Sequence, residues 1–497
     1  MPRRKILANN NNETEEKDEM QPTKAKRARI AFHLELPKRR QTIGQVLVCG
    51  TGDTGQLGLG EDILERKRPA LVEDIPNPVD ICAGGMHCLV LTKNGDIYSF
   101  GCNDEGALGR STSEEGSEST PALIDLPGKA LRISAGDSHS ACLLEDGRVY
   151  AWGSFRDSHG NMGLTIDGNK RTPINLLEGT VCCSIASGAD HLVILTTAGK
   201  VYTVGCAEQG QLGRISERSV GGEGRRGKRD LLRPDQLLIK RTKPFEAVWA
   251  TNYCTFLRES QTDIIWAVGL NNYKQLTYAK EAERLLIPIK TDLKDVKQIA
   301  GGQHHTLVLD NNSKCFAIGR PEYGRLGIGS DVKEVVDKLV AIKELSGNTV
   351  YVACGEACSY AITKDGKLYS WGMGSNNQLG VGDGDDEFEP VLVSSKNTAN
   401  KRMLLAAGGG QHSVFLVESD VQEEEQKENV PAASGGGGKK TKAAASAAEV
   451  ASKEAEQSPK KTDDKETTPV NDGEPLTSGS SPEPVKKPAA KRGRKKN

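Results

Sequence analysis

Short runs of alternating apolar and polar positions, each ended by a glycine, recur through the middle of this chain, and the period-two pattern predicts strands. Each run leads into a turn and a G-x-L-G phrase. The clear copies are "VLVCGTGDTGQLG" (46–58), "IYSFGCNDEGALG" (97–109), "VYTVGCAEQGQLG" (201–213), "CFAIGRPEYGRLG" (315–327) and "LYSWGMGSNNQLG" (368–380), with weaker ones starting at Val149 and Ile265. Their first glycines fall at 50, 101, 153, 205, 269, 319 and 372, spaced by 51, 52, 52, 64, 50 and 53 residues. A second element alternates with the first: "AGGMHCLVL" (83–91), "AGDSHSACL" (135–143), "SGADHLVIL" (187–195), "AGGQHHTLVL" (300–309), "CGEACSYAI" (354–362), "GGGQHSVFL" (408–416) and a degenerate copy near Ala250–Leu257.

Each unit therefore reads as strand, glycine turn, proline-marked strand ("RPALV", "TPALI", "EPVLV"), a strand entering A-G-x-x-H, and a strand ending in an Asp-Gly type turn. Asp-Gly between apolar runs marks a hairpin because glycine accepts the positive φ that a tight turn needs. Four short strands, seven times over, predict an all-β, seven-bladed β-propeller of four-stranded blades, a repeat architecture that leaves only short sheet edges. The first element opens the series at Val46 and the second closes it at Leu416, so the two ends must share one blade and staple the ring. The expected organisation is a basic N-terminal tail (1–44), the propeller (45–418) and a C-terminal tail (419–497) whose Lys, Ala, Ser, Pro and Glu content predicts disorder.

Composition agrees with this reading: 55 glycines, 4% aromatics and no long stretch of helical periodicity outside the tails. Twelve cysteines are scattered, with Cys182 and Cys183 adjacent and Cys354 and Cys358 four apart, but no CxxC pair or Cys/His cluster has metal-ligand spacing. Free thiols in a reducing compartment are expected, and no metal or cofactor. The N-terminus is polar and basic, and no run of eighteen apolar residues occurs, so a cytosolic or nuclear location is expected over secretion or membrane spanning. The net charge of −1 conceals basic ends, +5 over residues 1–44 and +1 over 419–497, on a middle region of −7. Such ends suit contact with a polyanion while the body binds something else.

A residue that recurs in every unit belongs to the scaffold, whereas a departure in one unit needs a local reason. His87, His139, His191, His304 and His412 are read into the A-G-x-x-H slot, with Cys254 and Cys358 filling it elsewhere, and histidines so repeated are expected to hydrogen-bond between blades. Asp137 and Asp190 stand at variable positions of the same motif. The two glycines of the first element are five residues apart in the first copy and seven apart in the third, Gly153 to Gly160, where Phe155, Arg156, Asp157, Ser158 and His159 make a longer, protruding turn. The 64-residue spacing places a Gly-rich basic loop at 214–230. In the N-terminal tail, "PTKAKRARIAFHLELPKRR" (22–40) reads as a nuclear-import signal that also contacts DNA phosphates, with Lys24, Lys26, Arg27 and Arg29 as DNA-binding candidates. "SPKK" (458–461) and "KKPAAKRGRKK" (486–496) are short DNA-contact motifs.

Across 45–418 the paired motifs, with "GCNDEGALGR", "WGSFRD", "GGQHHT" and "EYGRLG", resemble the regulator of chromosome condensation family, the chromatin-bound guanine-nucleotide exchange factors for the small GTPase Ran. That resemblance implies a Ran-facing surface on which Asp190 and His304 are the first pair for exchange, with Asp53, Asp137, Arg214, Lys274 and His412 as further contacts. Lys274 stands in "LNNYKQLT" where the family usually shows histidine. It also implies that the 155–159 insertion is a β-wedge pressed into the GTPase beside its phosphate loop. Arg218, Arg225 and Arg226 of the basic loop become candidates for the acidic patch of the histone core, a role suited to a planar guanidinium fork. No GxxxxGK[ST] phosphate loop, metal site or nucleophile constellation occurs, so covalent chemistry is not expected. The competing reading is a non-catalytic chromatin adaptor.

Overall fold

The computed structural model describes residues 32–220, 224–278 and 280–419, and within it seven four-stranded antiparallel sheets follow one another along the chain. Blades 1 to 6 span 78–123, 130–175, 182–236, 245–290, 296–341 and 349–392. Blade 7 takes its two inner strands, Met403–Gly408 and His412–Glu418, from the C-terminal end and its two outer strands, Gly44–Thr51 and Glu65–Val72, from the N-terminal end. Gly44–Thr51 pairs with His412–Glu418 from Gly44 opposite Glu418 to Gly50 opposite His412. The staple expected from the repeat order is thus a seven-pair ladder of backbone bonds. The repeat as spelled in the sequence begins at a blade's third strand, so each unit straddles two blades.

The blades adhere through apolar side chains and through a recurrent polar contact. Strand residues such as Leu89, Leu91, Cys142 and Trp152 are fully buried together between blades 1 and 2, and equivalent clusters fill the other junctions. The slot residue is the first of each blade's second strand, directly opposite the glycine that ends the third: His87 faces Gly101, His139 Gly153, His191 Gly205, and His412 Gly50. In blade 5 the residue facing Gly319 is His305, not His304. The sequence assignment slipped by one because both residues are histidine.

Nε2 of a slot histidine meets a hydroxyl on the next blade, and that hydroxyl donates to a carbonyl in the first blade's own glycine loop. His87 lies 2.8 Å from Ser140 Oγ, which donates to Ala107 O at 2.8 Å. His191 and Thr255 are 3.0 Å apart, with Thr255 donating to Gln211 O at 2.8 Å, while His305 and Ser359 are 2.9 Å apart, with Ser359 donating to Arg325 O at 2.9 Å. The series closes with His412 Nε2 3.1 Å from Cys88 Sγ. Burial, which disfavours the charged imidazole, holds His87, His139, His191 and His305 down at about 3 and His412 at about 4. His139 breaks the pattern. The next blade offers Leu192 at the hydroxyl position, and the Phe155 ring packs on His139 instead at a centroid distance of 4.6 Å.

Residues 32–43 form no strand but dock on the opposite end of the ring from the A-G-x-x-H turns. Leu34 N–H donates to Thr197 O at 2.8 Å, and Leu34 and Leu36 pack on the core of blades 3 and 4. Arg39 donates to Ala130 O, to Lys93 O and to the Glu145 carboxylate at 2.7, 3.0 and 2.6 Å, and Arg40 lies 3.5 Å from Asp80. The "PKRR" end of the basic segment is therefore a strap held to the propeller rather than a free basic tail. All twelve cysteines are free, and no helix among the described residues is long and apolar enough to cross a membrane.

Candidate functional site

The extended third-unit loop is a two-stranded sheet of its own, Phe155–Asp157 paired with Gly160–Gly163. Asp157 pairs with Gly160, leaving Ser158 and His159 as the turn, and Gly160 supplies a φ of 111° at the tip. His159 N–H donates to Asp157 Oδ1 at 2.9 Å, the local hydrogen bond by which aspartate favours turns. A Cβ on Gly160 would meet nothing within 4 Å, whereas one on the second glycine of the first unit, Gly55, would strike Ser119 and Glu118. The wedge is therefore a replacement of the packed turn, not a lengthened copy of it. Phe155 does not project: it is fully buried, and its role is to fill the junction of blades 2 and 3. Arg156, Ser158 and His159 are exposed and Asp157 is half-buried.

Beside the wedge, the A-G-x-x-H turns form the rim of the central channel. Backbone bonds link neighbouring turns, among them Asp137 N–H to Ala189 O at 2.7 Å, Ala189 N–H to Asn252 O at 3.0 Å and Gly410 N–H to Gly85 O at 2.9 Å. Asp137 and Glu356 occupy one position of the turn in blades 2 and 6; Asp190, Tyr253 and His304 occupy the next position in blades 3, 4 and 5. A cavity of about 420 Å³ opens between Asp104, Glu105, Asp137, Arg156 and Glu356.

Electrostatics set this rim apart from the scaffold. Burial raises Asp190 to about 7, helped by the neighbouring Asp137 and Asp157 charges, while the Arg156 backbone N–H, donating to Asp190 Oδ1 at 2.8 Å, acts the other way. Burial likewise raises Asp137 against the opposing charge of Arg156, and burial with the Asp137 charge lifts Glu356 to about 7. Gln303 Nε2 donates to Glu356 at 2.7 Å. His304 is held down at about 4 by burial and by Arg325 and Arg320; its ring meets the Tyr273 edge at 5.0 Å, and Arg320 stacks on Tyr273 at 5.2 Å. The arrangement offers a neutral imidazole and a group of under-compensated carboxylates, fit to receive a cationic side chain.

The remaining candidates separate. Asp53 is exposed in its glycine loop. Lys274, half-buried, adopts φ 61° at the position held by Gly55, Gly106, Gly210, Gly324 and Asn377 in other units, and its ammonium donates to Lys280 O at 3.3 Å. His412 is fully buried in the inter-blade series, so it is a scaffold residue and not a surface contact. Arg214 is also spent internally: its guanidinium donates to Thr203 O at 2.9 Å, Asp230 O at 2.9 Å and Arg233 O at 3.1 Å, tying the base of the basic loop. Arg110 does the same one blade pair earlier, with Ser99 O and Ser117 O both at 2.9 Å, which marks the position as structural. Within the loop, Arg218 is exposed on the short helix Glu217–Val220. The backbone of Arg225 and Arg226 lies in the helix Gly224–Leu232, and their side chains lie outside the described residues. Lys24, Lys26, Arg27, Arg29 and the C-terminal motifs lie outside them as well.

Sequence reasoning missed Glu356, Tyr253, Glu105 and Glu208. Glu356 was within reach, since "CGEAC" places it at the Asp137 position. Among the described residues, Asp157, His159 and Glu208 are the group of potential metal ligands whose donor atoms come within 4.8 Å of one another. The Glu208 carboxylate there already accepts from Ser158, and Asp157 Oδ1 from His159 N–H.

A seven-bladed ring with such a rim and one projecting hairpin defines a class, and the chain belongs to it: residues 45–415 match the RCC1-like domain. The chain is 76% identical over 404 residues to the regulator of chromosome condensation of Drosophila melanogaster, covering 81% of this chain and 73% of that protein. It is 30% identical over 416 residues to the guanine nucleotide exchange factor SRM1 of Saccharomyces cerevisiae, covering 72% and 83%. The crystal structure of Prp20p from Saccharomyces cerevisiae, a protein characterised for its binding to Gsp1p and histones, superposes with a TM-score of 0.70 at 28% identity over 80% of this chain and 96% of that one.

Proposed function

We propose that this chain is a chromatin-bound guanine-nucleotide exchange factor for the small GTPase Ran. The observation that carries the reading is the wedge: one hairpin, in one of seven like units, standing beside a rim of carboxylates of raised affinity for protons. The family match and the named relatives, among them a guanine nucleotide exchange factor, support it.

The mechanism is thermodynamic. A GTPase holds its nucleotide through backbone N–H groups around the phosphates and through Mg²⁺, so a partner that stabilises the nucleotide-free form must weaken nucleotide binding by the same factor. Arg156, Ser158 and His159 at the wedge enter beside the phosphate loop, while Asp190, Asp137 and His304 bind the GTPase surface. Lys274 and Asp53 contribute at the periphery. Release shows no preference between GDP and GTP, and the cellular nucleotide excess sets direction. Arg218 and the basic loop engage the histone acidic patch, the basic tails engage DNA phosphates, and an import receptor reads the tail ahead of the docked strap. Nuclear, chromosome-associated Ran-GTP production follows.

Stopped-flow release of a fluorescent guanine nucleotide from Ran tests the reading. Acceleration over spontaneous release is expected; folded protein that leaves the rate unchanged would leave only the adaptor reading standing.

A further inference from the structure

The wedge is a two-stranded sheet, and an isolated two-stranded hairpin is only marginally stable in water. Its exposed half therefore needs support from outside itself. The neighbouring blades provide it from both sides. From blade 3, Glu208 accepts the Ser158 N–H at 3.0 Å and the Ser158 hydroxyl as well. From blade 1, Glu105 accepts the Asn161 side-chain amide and, at 2.5 Å, that of Asn169. Asn161 carries this hold into the hairpin, because its Oδ1 accepts the Ser154 hydroxyl at 2.8 Å and the Gly163 N–H at 2.7 Å. The Glu208 loop is itself anchored by Arg284, which donates to Glu208 O at 2.8 Å and lies 3.6 Å from the Glu217 carboxylate.

We propose that Glu208 and Glu105 are positioning residues for nucleotide exchange, a two-sided carboxylate clamp that fixes the angle at which the wedge meets the GTPase. The assignment rests on the exchange reading above. Both side chains use ionised oxygens on neutral donors, and such charge-assisted bonds are about twice as strong as neutral ones. Neither carboxylate belongs to the blade that carries the wedge, so the pose of the hairpin is a property of three blades at once. The clamp acts on the hairpin and, through Asn169, on the loop that follows it, and it lies outside the blade cores, which separates it from Phe155 below.

The test uses the full chain with two independent readouts. Amide hydrogen exchange is followed over 156–163, and the release of a fluorescent GDP analogue from Ran that the chain stimulates is measured as kcat and KM. For Glu208→Ala and Glu105→Ala, exchange of wedge amides is expected to accelerate with the melting temperature unchanged. Their kcat is expected to fall roughly 10-fold, with KM moving less than about twofold, since a misplaced group loses transition-state contacts before it loses encounter. Glu208→Gln keeps an acceptor for the Ser158 N–H and is expected to restore most of the rate. Unchanged wedge amides in both alanine variants would overturn the clamp. Loosened amides with wild-type kcat would overturn its role in exchange. If wild-type protein itself fails to accelerate release, the Ran reading falls, and the amide data still decide whether the clamp exists.

Discussion

Two residues of the fifth unit, in blade 4, show how much backbone strain one blade tolerates. "LNNYKQLT" puts Lys274 at φ 61°, where most units place glycine and one places Asn377 at φ 58°, and Thr277 at φ 59°, where the other units place glycine. A β-branched residue there clashes with its own backbone, at a cost on the order of 1 kcal/mol. Thr277→Gly is therefore expected to raise stability by about 1 kcal/mol, read as a higher denaturant midpoint with an unchanged slope. Phe155 and Arg156 are adjacent yet separable for the opposite reason. Phe155→Ala empties a packed junction and should cost about 3 kcal/mol or more, whereas Arg156→Ala should leave the melting temperature alone and slow exchange. Asp190 carries a pH dependence. It ionises as pH rises through about 7, and the carboxylate is the stronger acceptor for Arg156 N–H and for a partner's cation. Stimulated release, taken relative to spontaneous release at each pH, should rise between pH 6 and 8, and Asp190→Asn should flatten that rise.

At the scale of the element, legibility depended on whether a feature was written in one segment. Strand positions, the glycine turns and the extra length at 153–163 were all readable because each is local. The clamp on that hairpin was not, since Glu105 and Glu208 lie 56 and 50 residues from the groups they hold. The misassigned blade-5 histidine has a related cause: in "GGQHHT" only the register against Gly319 decides which ring turns inward. The wedge and the basic loop are each a departure within one unit, and each should fail alone. Asp190→Ala should lower exchange with nucleosome affinity nearly intact. Arg225→Ala with Arg226→Ala should do the reverse, in paired release and nucleosome-binding assays; equal loss of both activities would contradict two independent sites.

For the whole molecule, closure and acid sensitivity go together. The inter-blade histidines are neutral when folded, with pKa values of about 3 to 4 against an ordinary 6.5. The unfolded chain then binds more protons below pH 6.5, so the stability they contribute is complete above that pH and is lost as pH falls towards 4. The buried carboxylates Asp137, Asp190 and Glu356, raised in the fold, act in the other direction, which makes variant comparison the informative measurement. His191→Asn with His305→Asn should lose less of its melting temperature between pH 7.5 and 5 than the wild type does, whatever its starting value.

The chain by itself determined the repeat, its seven copies, the strand and turn order within each, and the one unit whose turn was replaced. These follow from period and glycine placement, which act over a few residues. Only the tertiary structure decided which side chains meet: His412 and Arg214 turned inward as scaffold, Phe155 entered a core, "PKRR" became a strap, and Glu356 joined Asp137 at the rim. Those outcomes depend on neighbours brought from other blades, and ring closure, a contact between residues more than three hundred positions apart, is what sets them side by side.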